Sequence, residues 1–234
     1  MQLFYNSDIK QGAETFFFDK EESKHIVKVL RKKESDKIFI TNGLGYLFES
    51  EIILASEKKC EVKITKETFQ EPDKFYTHIA VAPTKMNDRL EWFLEKATEI
   101  GIHEITPIIC DHSERKVYKI DRAEKIIQAA MKQSLHYYIP KINEPISFAQ
   151  FVKSNFEGQK FIAHCEETDK KSFKNEVKND EKVTILIGPE GDFSTKEINL
   201  AIENGFIPVT LGNTRLRTET AALVACHTIA LINE

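Results

Sequence analysis

The chain has 234 residues, 41% of them hydrophobic and 30% charged, a balance that provides for a folded core and excludes wholesale disorder. Its length admits one or two domains. The 33 Lys and Arg against 37 Asp and Glu give a net charge of −4, which speaks against nonspecific coating of a polyanion.

The first seventy or so residues read as short strands: Thr15-Phe16-Phe17-Phe18, Lys37 to Thr41, Tyr46 to Leu54 and Lys59 to Ile64, with turn residues such as Asn42-Gly43-Leu44-Gly45 between them. One helical stretch, Glu21 to Leu30, places Ile26, Val27 and Leu30 on one face. This pattern predicts a small, mostly β barrel. The polar segment Glu67 to Lys74 contains Pro72 and marks the expected boundary, with domains at 1–70 and 74–234. Beyond it, apolar runs at His78–Ala82, Glu104–Cys110, Phe161–Cys165, Val183–Ile187 and Ile207–Leu211 alternate with helical patterns. Runs apolar nearly throughout are what strands covered on both faces require, so an α/β domain with a mostly parallel sheet follows. Leu90, Phe93, Leu94, Ala97 and Ile100 form one helix face ended by Gly101. Asp121 and Ser194 are each followed three residues later by a glutamate, as helix caps are, and a last helix spans about Thr218 to Leu231.

No apolar run reaches the roughly 18 residues of a membrane span. The opening Met1-Gln2-Leu3-Phe4-Tyr5-Asn6 shows no basic segment leading into an apolar one, so no secretory leader is visible. Cys60, Cys110, Cys165 and Cys226 lie far apart with no CxxC pair. They read as buried free thiols of a reducing cytoplasm, and no metal site is expected.

Two glycine-containing turns follow strands. One is Ile187-Gly188-Pro189-Glu190-Gly191-Asp192-Phe193, and the other is Leu211-Gly212-Asn213-Thr214-Arg215-Leu216-Arg217-Thr218-Glu219-Thr220. In open parallel sheets, ligands bind beyond the carboxyl ends of the strands, where such turns lie. Neither GxxxxGK[ST] nor GxGxxG is present, so the ligand is not one held by its phosphates.

The wording of these turns carries more than their glycines. Leu186-Ile187-Gly188-Pro189-Glu190-Gly191, then Leu211-Gly212, then Leu216-Arg217-Thr218-Glu219-Thr220-Ala221 closely resembles the C-terminal signature of the bacterial 16S ribosomal RNA uridine-N3 methyltransferases, members of the SPOUT class. Lys85 with Asp88-Arg89, Glu95 to Gly101, Ser113-Glu114-Arg115, Ala129 to Ser134 and His25 to Arg31 match the same family in order along the chain. The resemblance implies an N-terminal PUA-like β-barrel that helps bind RNA, and a C-terminal α/β domain with a parallel sheet and a trefoil knot. It also implies S-adenosyl-L-methionine as cofactor, 16S rRNA or the small ribosomal subunit as partner, and a cytoplasmic homodimer. By the same resemblance the cofactor is bound by His164, Leu186, Gly188, Pro189, Glu190, Gly191, Leu211, Gly212, Leu216, Arg217 and Thr220. There are two departures. Asp192 stands where the family often has a second glycine, and Leu135-His136 follows Gln133-Ser134 where an arginine is often found.

Methylation at N3 requires an unpaired base, loss of the N3 proton and in-line approach to the methyl. Arg217 is the candidate cation for the uracil anion. Glu219 has two readings, a proton acceptor or a carboxylate that stabilises the helix N-terminus. Taken singly, His25 and His164 read as polar residues satisfied by their neighbours, and neither is assigned as a catalyst. Two basic clusters are candidate phosphate contacts, one containing Lys24, Lys28 and Arg31 and the other starting at Arg115. Residues 1–70 hold 12 of the basic and 12 of the acidic residues, so the excess negative charge lies wholly in the remainder. Other readings of the chain are a SPOUT enzyme acting on another base or a ribose 2′-hydroxyl, and a non-catalytic RNA-binding assembly factor.

Overall fold

The computed structural model describes residues 1–167 and 169–234. The chain divides into two compact units. One comprises Met1–Pro72 with Met131–Ile139, and the other Asp73–Ala130 with Pro140–Glu234. A single cut near Pro72 therefore does not describe the chain, because Met131–Ile139 returns to the first unit.

In the first unit β1 (Leu3–Tyr5), β2 (Thr15–Phe17), β3 (Lys37–Thr41), β4 (Tyr46–Leu54) and β5 (Glu61–Phe69) form one curled sheet in the order β1-β3-β4-β5-β2. All pairings are antiparallel except that of β1 with β3. Period-two alternation turns Ile38, Ile40, Phe48, Ile52 and Val62 onto a core shared with Phe4 and Ile26. Register shifts between Glu49 and Ser50, and between Ile52 and Leu54, are bulges of the kind that bend a strand. β5 runs to Phe69, into the segment read as a linker, because the Phe69 ring packs on Tyr46 directly opposite, 4.7 Å between centroids. The expected helix forms in two pieces. Asp19 caps α1 (Lys20–Lys24) by accepting the Glu22 N–H at 2.8 Å. A π-type turn over His25–Val29 follows, in which the Leu30 N–H reaches the His25 carbonyl at 2.9 Å. The returning segment closes this unit: Gly45 N–H donates to the Tyr137 carbonyl at 2.9 Å, and the Tyr138 hydroxyl to the Gln70 carbonyl at 2.7 Å. Only glycine fits at position 45, where φ is +91° and a Cβ would stand 2.8 Å from the Gln70 backbone carbonyl oxygen.

The second unit contains β6 (Tyr76–Val81), β7 (Glu104–Ile109), β8 (Lys141–Ile142), β9 (Ile146–Ser147), β10 (Gln159–Ala163), β11 (Lys171–Ser172), β12 (Lys182–Ile187) and β13 (Ile207–Thr210). Its helices are α2 (Asn87–Ile100), α3 (Asp121–Ser134), whose last residues belong to the returning segment, α4 (Phe148–Val152), α5 (Phe173–Glu176), α6 (Thr195–Glu203) and α7 (Thr218–Asn233). The strands are parallel in the order β11-β13-β10-β12-β6-β7-β8, with β9 beside β7. This is the mixed α/β class expected. The sheet buries Ala80, Ile162 and Leu186 against Phe193, Ile198 and Phe206 on one side. Ser194 and Glu197 form a full capping box at α6, and Gly101 ends α2 with φ +100°. Among the described residues no helix is long and apolar enough to cross a membrane.

A buried polar network lies at the amino ends of β6 and β7. His78 Nε2 is 2.8 Å from Thr106 Oγ1. Glu104 accepts from Asn143 Nδ2 at 2.7 Å, Lys141 Nζ at 3.0 Å and the Tyr76 hydroxyl at 3.0 Å.

Candidate active site

Parallel register sets Ala163 of β10 beside Ile187 of β12 and Val209 of β13, so these three strands finish level and release their loops at the same edge. Two adjoining cavities, each about 430 Å³, open there. The first lies between Ala163-His164-Cys165, Lys170 and the Val209–Leu216 loop. The second lies between Arg89, Ile187–Glu190, Asp192 and Leu216–Thr218. Ala163, Cys165, Arg215, Leu216 and Ala221 are walls of both.

Hydrogen bonds from separate elements hold the loops. The Thr218 hydroxyl donates to the Gly188 carbonyl at 3.0 Å, tying the start of α7 to the turn after β12. A side chain at Gly188 would meet the Phe193 ring at 3.1 Å and would have to push that ring aside. Glu190 accepts the Lys85 N–H at 3.0 Å, and Arg115 Nη2 donates to the Lys85 carbonyl at 3.0 Å. Asp192 occupies the left-handed region, φ +64°, which explains a glycine there and which aspartate tolerates better than most residues. Its carboxylate accepts the Cys165 N–H at 2.7 Å and so bridges the turns after β10 and β12.

The structure sorts the expected site residues. His164, Leu211, Gly212 and Leu216 line the first cavity, and Gly188, Pro189, Glu190 and Arg217 line the second. Leu186 instead belongs to the buried core under the sheet, since it is interior to β12 and lies within the apolar cluster. Gly191 packs against His112, and Thr220, half-buried on α7, lines neither cavity. Glu219 also lines neither. It is buried in the first turn of α7, with Oε1 4.0 Å from Arg89 Nε and Oε2 without a partner. Arg89, in the first turn of α2, lines the second cavity although no local sequence pattern marks it for a role.

His164 departs from its reading as a satisfied polar residue. It is buried, and neither ring nitrogen has a hydrogen-bond partner. Burial, and then the Lys170 charge, lower its pKa below the usual histidine range and leave the ring neutral. A neutral imidazole with a free donor and a free acceptor beside a cavity is the kind of group that a ligand satisfies. Cys165 is also not the buried thiol expected. β10 ends at Ala163, so Cys165 lies beyond the strand and is exposed, whereas Cys60, Cys110 and Cys226 are buried.

Of the candidate phosphate contacts, Lys24, Lys28 and Arg31 are exposed on the first unit and make no ion pair among the described residues. Arg115 differs. It is half-buried, braces the Lys85 loop and keeps Nε out of solvent, so it is not a free surface cation. Among the described residues no cluster of three or more His, Cys, Asp or Glu has the arrangement of a metal site.

Residues 71–230 match the RNA methyltransferase domain family, and residues 18–65 match the RNA methyltransferase PUA domain. The chain belongs to this RNA methyltransferase family. It is 34% identical to the ribosomal RNA small subunit methyltransferase E of Buchnera aphidicola from Acyrthosiphon pisum, over 90% of this chain and 85% of that one. A structure from Porphyromonas gingivalis, described as a "probable rRNA-methyltransferase", superposes with a TM-score of 0.92 at 39% identity, covering 100% of this chain and 98% of the other. A methyltransferase structure from Legionella pneumophila, in complex with the cofactor SAM, matches with a TM-score of 0.88 at 28% identity over 99% and 97% of the two chains.

Proposed function

We propose that the chain transfers a methyl group from S-adenosyl-L-methionine to N3 of one uridine in the 16S RNA of the small ribosomal subunit. The observation that carries this reading is the pair of adjoining cavities at the strand ends, one lined by a neutral, unsatisfied His164 and the other by arginines. The first cavity suits a flat heterocycle with polar edges. Val209, Leu211, Leu216 and Ala221 provide apolar walls, the loop backbone provides donors and acceptors, and His164 supplies a free nitrogen. When bound, the cofactor supplies a methyl already activated on a sulfonium. In this reading Gly212 encloses it within the first cavity, and Gly188, Pro189, Glu190 and Arg217 reach it from the wall of the second. The second cavity, with Arg89, Arg215 and Arg217, accepts the uridine and its adjoining phosphate.

In this reading the first unit is the RNA-binding, PUA-like domain, and the second is the methyl-transfer domain with the trefoil knot of the SPOUT class. Lys24, Lys28 and Arg31 contact phosphates and so position the RNA, while the target base is chosen by being unpaired and turned out. In this reading the protein works in the cytoplasm as a homodimer, as the resemblance implies, and Trp92 on α2 and Leu231 on α7 are exposed apolar residues available to such an interface. The test is incubation with labelled cofactor and small subunits that lack the modification, followed by nucleoside mass spectrometry. The expected product is 3-methyluridine. A 2′-O-methyl nucleoside, or no product, refutes the assignment.

A further inference from the structure

Glu219 is an unusual group for its place. Its side chain is 9% exposed, Oε2 has no partner, and Oε1 lies 4.0 Å from the Nε of Arg89. A buried carboxylate oxygen left unpaired is costly, and it persists where the carboxylate serves something nearby. Arg89 provides the answer. It is in the first turn of α2, its side chain is 35% exposed, and it lines the second cavity, which Glu219 does not.

We infer that Arg89 is the catalytic cation for the uracil ring and that Glu219 is the residue that positions it. The inference rests on the methyl transfer proposed above. For N3 to become a nucleophile its N–H bond must break, the electron pair staying on nitrogen and the proton passing to solvent water. The charge left behind spreads over N3, O2 and O4. A guanidinium offers planar N–H donors that can hold O4 or O2, where the charge accumulates, and leave the N3 electron pair free to form the bond to the methyl. Inside a cavity that contact is worth more than in water, and worth most once the charge has formed. The same donors disfavour cytosine, whose exocyclic amino group is itself a donor where uracil presents O4. Glu219 stands behind Arg89, not beside the base, so its part is to aim the guanidinium and not to take the proton. Arg217, a wall of the same cavity, is left for phosphate or cofactor.

The test uses the full chain with small-subunit substrate, in the variants Arg89→Gln, Arg89→Lys, Glu219→Gln and the Arg89→Gln/Glu219→Gln double variant. A second substrate carries 5-fluorouridine at the target position, where the fluorine makes N3 more acidic. Calorimetry with S-adenosyl-L-methionine and the melting curve of each variant check the fold. Arg89→Gln is expected to lower kcat by about 100-fold, with KM for the substrate and cofactor Kd changed by less than about threefold. Fluorouridine is expected to recover about tenfold of that loss relative to the wild type, because an acidic N3 needs less help. Glu219→Gln lowers kcat alone but adds little to Arg89→Gln, as expected of two residues acting as one unit. If Arg89→Gln does not fold, Arg89→Lys, which keeps the charge and loses the fork, replaces it with a smaller loss and the same fluorouridine recovery.

Unchanged kcat in Arg89→Gln overturns the inference. So does a rise in substrate KM alone, which makes Arg89 a phosphate contact, or a loss of cofactor affinity, which makes it part of the cofactor site. A full additional loss in the double variant returns Glu219 to direct chemistry. Absence of 3-methyluridine from the wild type refutes instead the function on which the inference rests.

Discussion

His78 offers a direct check on the energetics of the second unit. It sits at the amino end of β6, buried, with Nε2 on Thr106 at 2.8 Å and Nδ1 3.9 Å from Glu104. Burial is the main influence on its charge and disfavours the imidazolium. Glu104 opposes that effect and Lys141 adds to it, and the net result is a pKa lowered from 6.5 to about 4. The unfolded chain therefore binds a proton at a pH where the folded chain does not. Stability from this residue is fully present above pH 6.5 and is lost as the pH falls towards 4. A drop of that size corresponds to about 3 kcal/mol. The only tryptophan, Trp92, lies on α2 of the same unit and reports its unfolding by fluorescence. Urea unfolding of the wild type and of His78→Gln, whose amide can still meet Thr106, should be followed from pH 7.5 down to 4. The wild type is expected to lose about 3 kcal/mol more than the variant over this range. Parallel curves for the two proteins would refute the assignment of a neutral, buried His78.

Three further outcomes follow from the loops and the surface. Gly188→Ala places a Cβ 3.1 Å from a Phe193 ring that is itself buried against Phe148, and should cost roughly 1–3 kcal/mol in urea unfolding together with a calorimetric loss of cofactor affinity. Asp192→Gly relieves a left-handed backbone worth roughly 1 kcal/mol but removes the hydrogen bond to the Cys165 N–H, worth roughly 1.5–3 kcal/mol, so a net loss of about 1 kcal/mol is expected in the same assay. Charge reversal at Lys28 and Arg31 should weaken RNA binding for every sequence alike and flatten its salt dependence by about one unit of slope per lost phosphate contact, as measured by filter binding.

The long strands of the second unit were readable because both faces are covered and the residues are apolar throughout, as in Val183–Ile187. α6 was readable because Ser194 and Glu197 cap each other across three residues, an entirely local signal. β1 and the two-residue strands β8, β9 and β11 were not, since so few residues show no periodicity and only their partners define them. Phe69 was assigned to a linker for a similar reason, because what keeps it in β5 is Tyr46, 23 positions earlier. At the site, the glycine turns were legible as words, but their division of labour was not. Leu186 shares their motif and faces the core, whereas Arg89 is some hundred positions away from its cavity partners and is brought to them by packing alone. The missing partners of His164 are likewise a property of space and not of sequence.

The bonds from Gly45 to Tyr137 and from Tyr138 to Gln70 carry a consequence for biosynthesis. The N-terminal part is made first, yet its sheet loop lacks these partners until Ile139 has been added. At an elongation rate of roughly 5–20 residues per second, the 67 residues after Pro72 take roughly 3–13 seconds to translate. During that interval the nascent chain exposes the backbone of the Asn42–Gly45 turn, open to holding chaperones. A fragment ended at Pro72 would remain in that unfinished state permanently. The first unit is thus completed late: its core residues are all present by Pro72, but its last segment arrives only when the second unit is well under way.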